Sequence, residues 1–125
     1  MNRTIAPEYN PVKKLNLVSP QNITLDNGIP MYYFNTGSQD VLRIEVLLKA
    51  GSRYQSAPLI AHVVNNMLNE GTKTHSAAQI AETFEYYGAY LHTECDLDNA
   101  SVVLYLQNKH LETLLPLMLE LLTEA

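Results

Sequence analysis

The spacing of hydrophobic and polar residues changes period several times along the chain, and each change predicts an element. Ile23 to Asp26 and Ile29 to Phe34 flank Asn27-Gly28, a pair that tolerates the positive φ angles of a tight type I′ turn, so a β-hairpin is expected. From Val41 to Lys49 the residues alternate, with Leu42, Ile44, Val46 and Leu48 on one side and Arg43, Glu45 and Lys49 on the other. That is the pattern of a strand with one buried face. Gly51 ends it, and Ser56 followed by Pro58 predicts a helix running toward Gly71. On that helix Ile60, Val63, Val64, Met67 and Leu68 share one face, while His62, Asn65, Asn66 and Asn69 share another. The apolar face is expected to turn inward and the polar one, all four residues together, toward solvent.

Ser76 and Gln79 have the spacing of a capping box, so a second helix is expected from Ser76 to a stop at Gly88, with Ile80, Phe84 and Tyr87 facing inward. Ala89 to Cys95 and Ala100 to Gln107 read as strands joined by a turn over Asp96 to Asn99. The last helix, from about Asn108, aligns Leu111, Leu114, Leu115, Met118, Leu121 and Leu122, and Pro116 should bend it. Before the first hairpin, Pro7, Pro11 and Pro20 interrupt any periodicity, which predicts an extended arm over residues 1–21 and a domain over 22–125. Hairpin, strand, two helices, hairpin and helix, in that order, predict an α+β fold: a largely antiparallel sheet with helices packed on one face.

Charge and composition narrow the function. A net charge of -5 with scattered lysines and arginines leaves no basic stripe for a phosphate backbone, which argues against nucleic-acid binding. No apolar run is long enough to suggest a membrane span. Cys95, the only cysteine, excludes an internal disulfide and a cysteine-based zinc site and reads as a small buried hydrophobe. The first residues lack the apolar core of a secretory signal, so a cytoplasmic location is expected. Serine-nucleophile elbows and nucleotide-binding loops are missing from the sequence. His92 and Glu94, two apart on a strand, read as solvated polar residues, and Glu112, Glu120 and Glu124 as exposed charges on the last helix.

Several short segments add a further observation by their order: Leu25-Asp26-Asn27-Gly28, Lys49 to Arg53, Ala61 to Thr72, Ser76 to Ile80, Tyr87 to Leu91, then the leucine-rich helix from Leu111. In order and spacing they resemble the insulinase/pitrilysin family of zinc metallopeptidases, which includes the mitochondrial processing peptidases. The resemblance implies a metallopeptidase-like (inverzincin) N-terminal domain, present in part. Active members carry H-x-x-E-H on the first long helix, where two histidines four apart bind one zinc and the glutamate polarises its water. Here His62 matches the first ligand, but Asn65 stands at the general base and Asn66 at the second histidine. An amide takes no proton at neutral pH, and an amide oxygen is a poor zinc donor. The family's third ligand, a later glutamate, is expected beyond Ala125.

The resemblance therefore implies a catalytically degenerate member with no catalytic residue, no bound metal and no cofactor of its own, although zinc serves its active relatives. It further implies that Leu91, His92 and Thr93 occupy the strand with which the family holds peptide by edge pairing. The expected function is to help an active peptidase protomer bind or enclose peptide, with self-association as another mode of partnering. Two alternatives stand beside it: a zinc endopeptidase with substituted ligands, and an interaction domain for an unrelated partner.

Overall fold

The computed structural model describes Tyr9, Pro11 and residues 13–125, so the expected arm lies partly outside the described residues. The chain divides into two compact units, one reaching to Ser38 and the other formed by Gln39–Ala125.

In the first unit β1 (Gln21–Thr24) pairs antiparallel with β2 (Pro30–Tyr33), Ile23 opposite Met31. The hairpin is where the sequence places it, but its turn is not type I′. Gly28 N–H donates to Leu25 O at 2.8 Å, Leu25 N–H donates to Ile29 O at 2.9 Å, and Gly28 alone takes a positive φ, 83°. Asn27 keeps a negative φ and uses its side-chain oxygen to accept from Ile29 N–H at 3.1 Å. This is a three-residue loop in which a type I turn is followed by one left-handed residue.

The second unit is built on a three-stranded antiparallel sheet in the order β3 (Val41–Leu48), β5 (Ala100–Gln107), β4 (Tyr90–Cys95). The central strand β5 is buried almost throughout, because it has a neighbour on each side and a core against one face. That core joins Val102, Leu104 and Leu106 to Ile80 and Phe84 of α2 (Ala77–Tyr86) and to Leu114, Leu117, Met118 and Leu121 of α3 (Leu111–Glu124). Helices thus layer onto a largely antiparallel sheet, an α+β arrangement. Ser76 caps α2 with the reciprocal bonds to Gln79 that its spacing predicts. A short 3-10 turn, Asn108–His110, precedes α3, which runs on through Pro116. Cys95 is half-buried, and its thiol donates to Asp96 O at 3.7 Å. At the end of a strand next to a turn it has less cover than the expected core position.

The first long helix departs most from expectation. It spans only Ile60–Met67 as α1, because Leu59 before it sits at φ 72°, left-handed, and breaks the helical path expected from Ser56. Between β3 and α1, Ser52–Tyr54 forms a 3-10 turn anchored to the β4–β5 hairpin loop by three backbone bonds, from Gly51, Ser52 and Arg53 to Asp98, Asp96 and Leu97.

Candidate functional site

Helical residues advance by about 100° each, so Ala61, Asn65 and Leu68 form one stripe along α1. This stripe faces inward: Ala61 and Leu68 are half-buried, Leu68 packs on the core, and Asn65 is 4% exposed. The expected inner face does not point there, since Ile60, Val63, Val64 and Met67 are 42–58% exposed. Nor do the polar residues stay together. His62, Asn66 and Asn69 are exposed, while Asn65 is buried with its Nδ2 lacking a hydrogen-bond partner among the described residues. α1 lies on the border between its apolar and polar faces, and Asn65 falls on the buried side of that border. An amide nitrogen left unpaired in such a place costs about 1–3 kcal/mol.

The main packing partner of α1 is β4, the strand that carries Leu91, His92 and Thr93. β4 is an edge strand among the described residues, pairing with β5 on one side only, Leu91 opposite Leu104 and His92 opposite Val103. Leu91 and Thr93 are half-buried and His92 is exposed, its ring stacked on Tyr90 with centroids 6.1 Å apart. Glu94 is exposed as expected, and among the described residues no three histidine, cysteine, aspartate or glutamate side chains converge as a metal site. Beside Leu91 a small cavity of about 190 Å³ opens between α2 and the start of β4, lined by Ile80, Ala81, Phe84 and Ala89 together with Asn69 and Glu85. A larger, shallow hollow of about 400 Å³ runs along α2 between His75 and Tyr87 and includes none of the motif positions.

Periodicity missed one cluster altogether. Glu120, expected to be a solvated charge on α3, accepts from the hydroxyls of Thr72 and Thr74 and from His75 Nδ1, the last at 3.0 Å. These bonds, led by that of Thr72, hold its carboxyl down to about 2. Close by, Lys73 pairs with Glu124 at 3.5 Å, so the segment that links α1 to α2 is tied to the end of α3. No local pattern could reveal this, because the partners lie more than 40 residues apart in sequence.

The chain is similar to known proteins over much of its length. The model of the insulinase family, peptidase family M16, matches residues 31–125. An uncharacterized zinc protease of Rickettsia bellii is 37% identical over 68 residues, 53% of this chain and 16% of that protein. Its counterpart in Rickettsia felis is 35% identical over the same length. The mitochondrial cytochrome b-c1 complex subunit 2 of Cryptococcus neoformans is 37% identical over 57 residues, 46% of this chain and 13% of that protein. The chain thus spans about a sixth or less of these relatives' length. Among solved structures, a peptidase M16 inactive domain from Pseudomonas fluorescens superposes with a TM-score of 0.78 at 25% identity, over 83% of this chain and 26% of that one. A protease from Helicobacter pylori shares the fold, with a TM-score of 0.75 at 21% identity over 85% and 26% of the two chains. With the family model covering three-quarters of its residues, the chain belongs to the insulinase family, peptidase family M16.

Proposed function

We propose that this chain is a non-catalytic homologue of the zinc metalloendopeptidases that helps an active partner protomer bind or enclose peptide, in the cytoplasm. The observation that carries the reading is Asn65. It stands where active relatives have the general base, it is an amide, and it is buried with an orphaned Nδ2. Zinc takes imidazole, thiolate or carboxylate donors. Across the three motif positions α1 offers one imidazole, His62, and two neutral amides, Asn65 and Asn66. This donor set does not fit the ion. The similarity to a domain described as inactive supports the same reading.

Peptide binding needs neither zinc nor a base. An extended peptide can add to the outer edge of β4 through main-chain hydrogen bonds alone. Side chains alternate on such a strand, so every second one would fall on the side of Leu91, beside the small cavity that Ile80, Ala81 and Phe84 line together with Asn69 and Glu85. The size of the cavity would favour a small side chain there.

The test is a zinc titration followed by a peptide-cleavage assay, on the natural chain and on a variant carrying Asn65→Glu with Asn66→His. The natural chain is expected to take up no zinc, to cleave nothing, and to bind extended peptides with small side chains. The variant is expected to gain at most weak zinc binding, since two histidines lack the third protein ligand of a catalytic site. Chelator-sensitive cleavage by the natural chain, matching that of the variant, would overturn the proposal in favour of an endopeptidase with substituted ligands.

A further inference from the structure

Asn27 is the only asparagine of the chain that is followed by glycine. In such a pair a side-chain amide can react with the next main-chain nitrogen. Gly28 N attacks Asn27 Cγ, the bond from Cγ to Nδ2 breaks, and ammonia leaves with the proton that Gly28 N gives up. The product is a five-membered succinimide, which water opens at either carbonyl. One opening gives aspartate. The other gives isoaspartate, whose main chain runs through the former side chain and is one carbon longer. Glycine eases the first step, because it has no β-carbon to crowd the attacking nitrogen and its backbone rotates freely.

The hairpin of β1 and β2 engages both reacting groups in other bonds. Gly28 N–H donates to Leu25 O at 2.8 Å, so the nitrogen must release that bond before it can lose its proton. The Asn27 amide is tied to Ile29 N–H, from which its Oδ1 accepts at 3.1 Å. Asn27 is also the third residue of the type I turn, where ψ is set at about 0°. Bringing Gly28 N onto Cγ requires a large rotation of that angle, which the closed turn and the bond from Leu25 N–H to Ile29 O at 2.9 Å oppose. The turn itself calls for the glycine: a β-carbon at position 28 would meet nothing within 4 Å, but φ is 83°. The residue that makes the loop possible is the one that makes Asn27 reactive.

We propose that Asn27 is a latent deamidation site masked by the folded hairpin, so that isoaspartate forms in chains whose hairpin has opened and then keeps it from closing. The added main-chain carbon lengthens a three-residue loop, and the bonds from Gly28 to Leu25 and from Leu25 to Ile29 no longer close across it together. The aspartate product acts differently. Its main chain is unchanged and its carboxylate still accepts from Ile29 N–H, so the hairpin survives the new charge. The inference rests on the geometry of the first unit alone and stands apart from the peptide-binding reading.

The test incubates the natural chain at mildly alkaline pH in buffer and in guanidinium chloride, and follows position 27 by peptide mapping with fragmentation that separates aspartate from isoaspartate. Asn27 should convert about tenfold more slowly or less in buffer, as expected of a reaction confined to a minor open state. Hydrogen exchange then reads the consequence. In Asn27→Asp the Leu25 and Gly28 amides should stay as protected as in the natural chain. In the isoaspartate form, aged in guanidinium chloride and refolded, they should exchange about tenfold faster or more, against a natural chain unfolded briefly and refolded in parallel. Equal or faster conversion in buffer would overturn the proposal, by showing that the bond from Ile29 N–H activates the amide. An Asn27 that stays intact in guanidinium chloride, an Asn27→Asp variant with unprotected hairpin amides, or an isoaspartate form as protected as the natural chain would overturn it too.

Discussion

Gly51 and Asp98 meet backbone to backbone: a β-carbon at position 51 would lie 2.4 Å from the Asp98 carbonyl carbon and 2.5 Å from Asn99 N. The approach lets Gly51 N–H donate to Asp98 O at 3.3 Å, alongside the neighbouring bonds from Ser52 and Arg53. Gly51 itself sits at φ -68°, open to any residue, so the demand for glycine here is steric and not conformational. Both sides of the contact are main chain and cannot swing away. Gly51→Ala should therefore destabilise the second unit by about 1–3 kcal/mol, the usual cost of forced overpacking. Thermal unfolding would show this as a drop of several degrees, and an unchanged midpoint would mean that the hairpin loop yields freely.

Asn65 predicts an effect of opposite sign. Leucine has the same branched shape without the amide, so Asn65→Leu should raise stability by about 1 kcal/mol by removing the unpaired Nδ2. Asn65→Glu should lower it, because a carboxylate at a position only 4% exposed must either pair or protonate. Urea denaturation of both variants distinguishes the two. A leucine variant less stable than the natural chain would show that the amide has a partner in solution.

Leu59 holds a left-handed conformation at φ 72°, which costs an L-residue about 1–2 kcal/mol relative to a right-handed one. Its side chain is 67% exposed, so little packing is lost on removing it. Leu59→Gly should stabilise the chain, by roughly 0.5–1 kcal/mol once the greater freedom of glycine in the unfolded chain is counted. Chemical denaturation is the measurement, and a loss of stability would place the Leu59 side chain in a contact that outweighs its strain.

Glu120 makes stability depend on pH. Its folded-state pKa, about 2, lies below the ordinary 4.5, so the native chain binds the carboxylate form preferentially. The contribution is complete above about pH 4.5 and is lost as pH falls through about 2. Glu120→Gln should be less stable than the natural chain at neutral pH, and the gap should close toward pH 2. Parallel denaturation series from pH 7 down would show it. A gap that stayed constant across this range would mean that the threonine and histidine bonds serve the neutral side chain equally well.

Much of the fold could be read locally. The capping box at Ser76, the alternation along β3, the Asp96–Asn99 turn and the leucine stripe of α3 depend on neighbours within a few residues, and these elements formed where expected. The candidate site was legible only as residue identities. His62, Asn65 and Asn66 could be named from their positions on the motif, but not which of them would be buried.

The amino-acid sequence by itself determined the order of elements, the α+β class and the family, because periodicity, turn chemistry and ordered short segments are properties of the chain alone. Tertiary structure decided how α1 is rolled. Periodicity assigns a helix an apolar face, but what becomes buried depends on the surfaces the helix meets, and here contact with β4 and the core takes in Asn65 and Leu68 and leaves Val63, Val64 and Met67 outside. The clamp on Glu120 was decided at the same level, since hydroxyls and an imidazole some 45 residues away converge on one carboxylate only after α3 has packed.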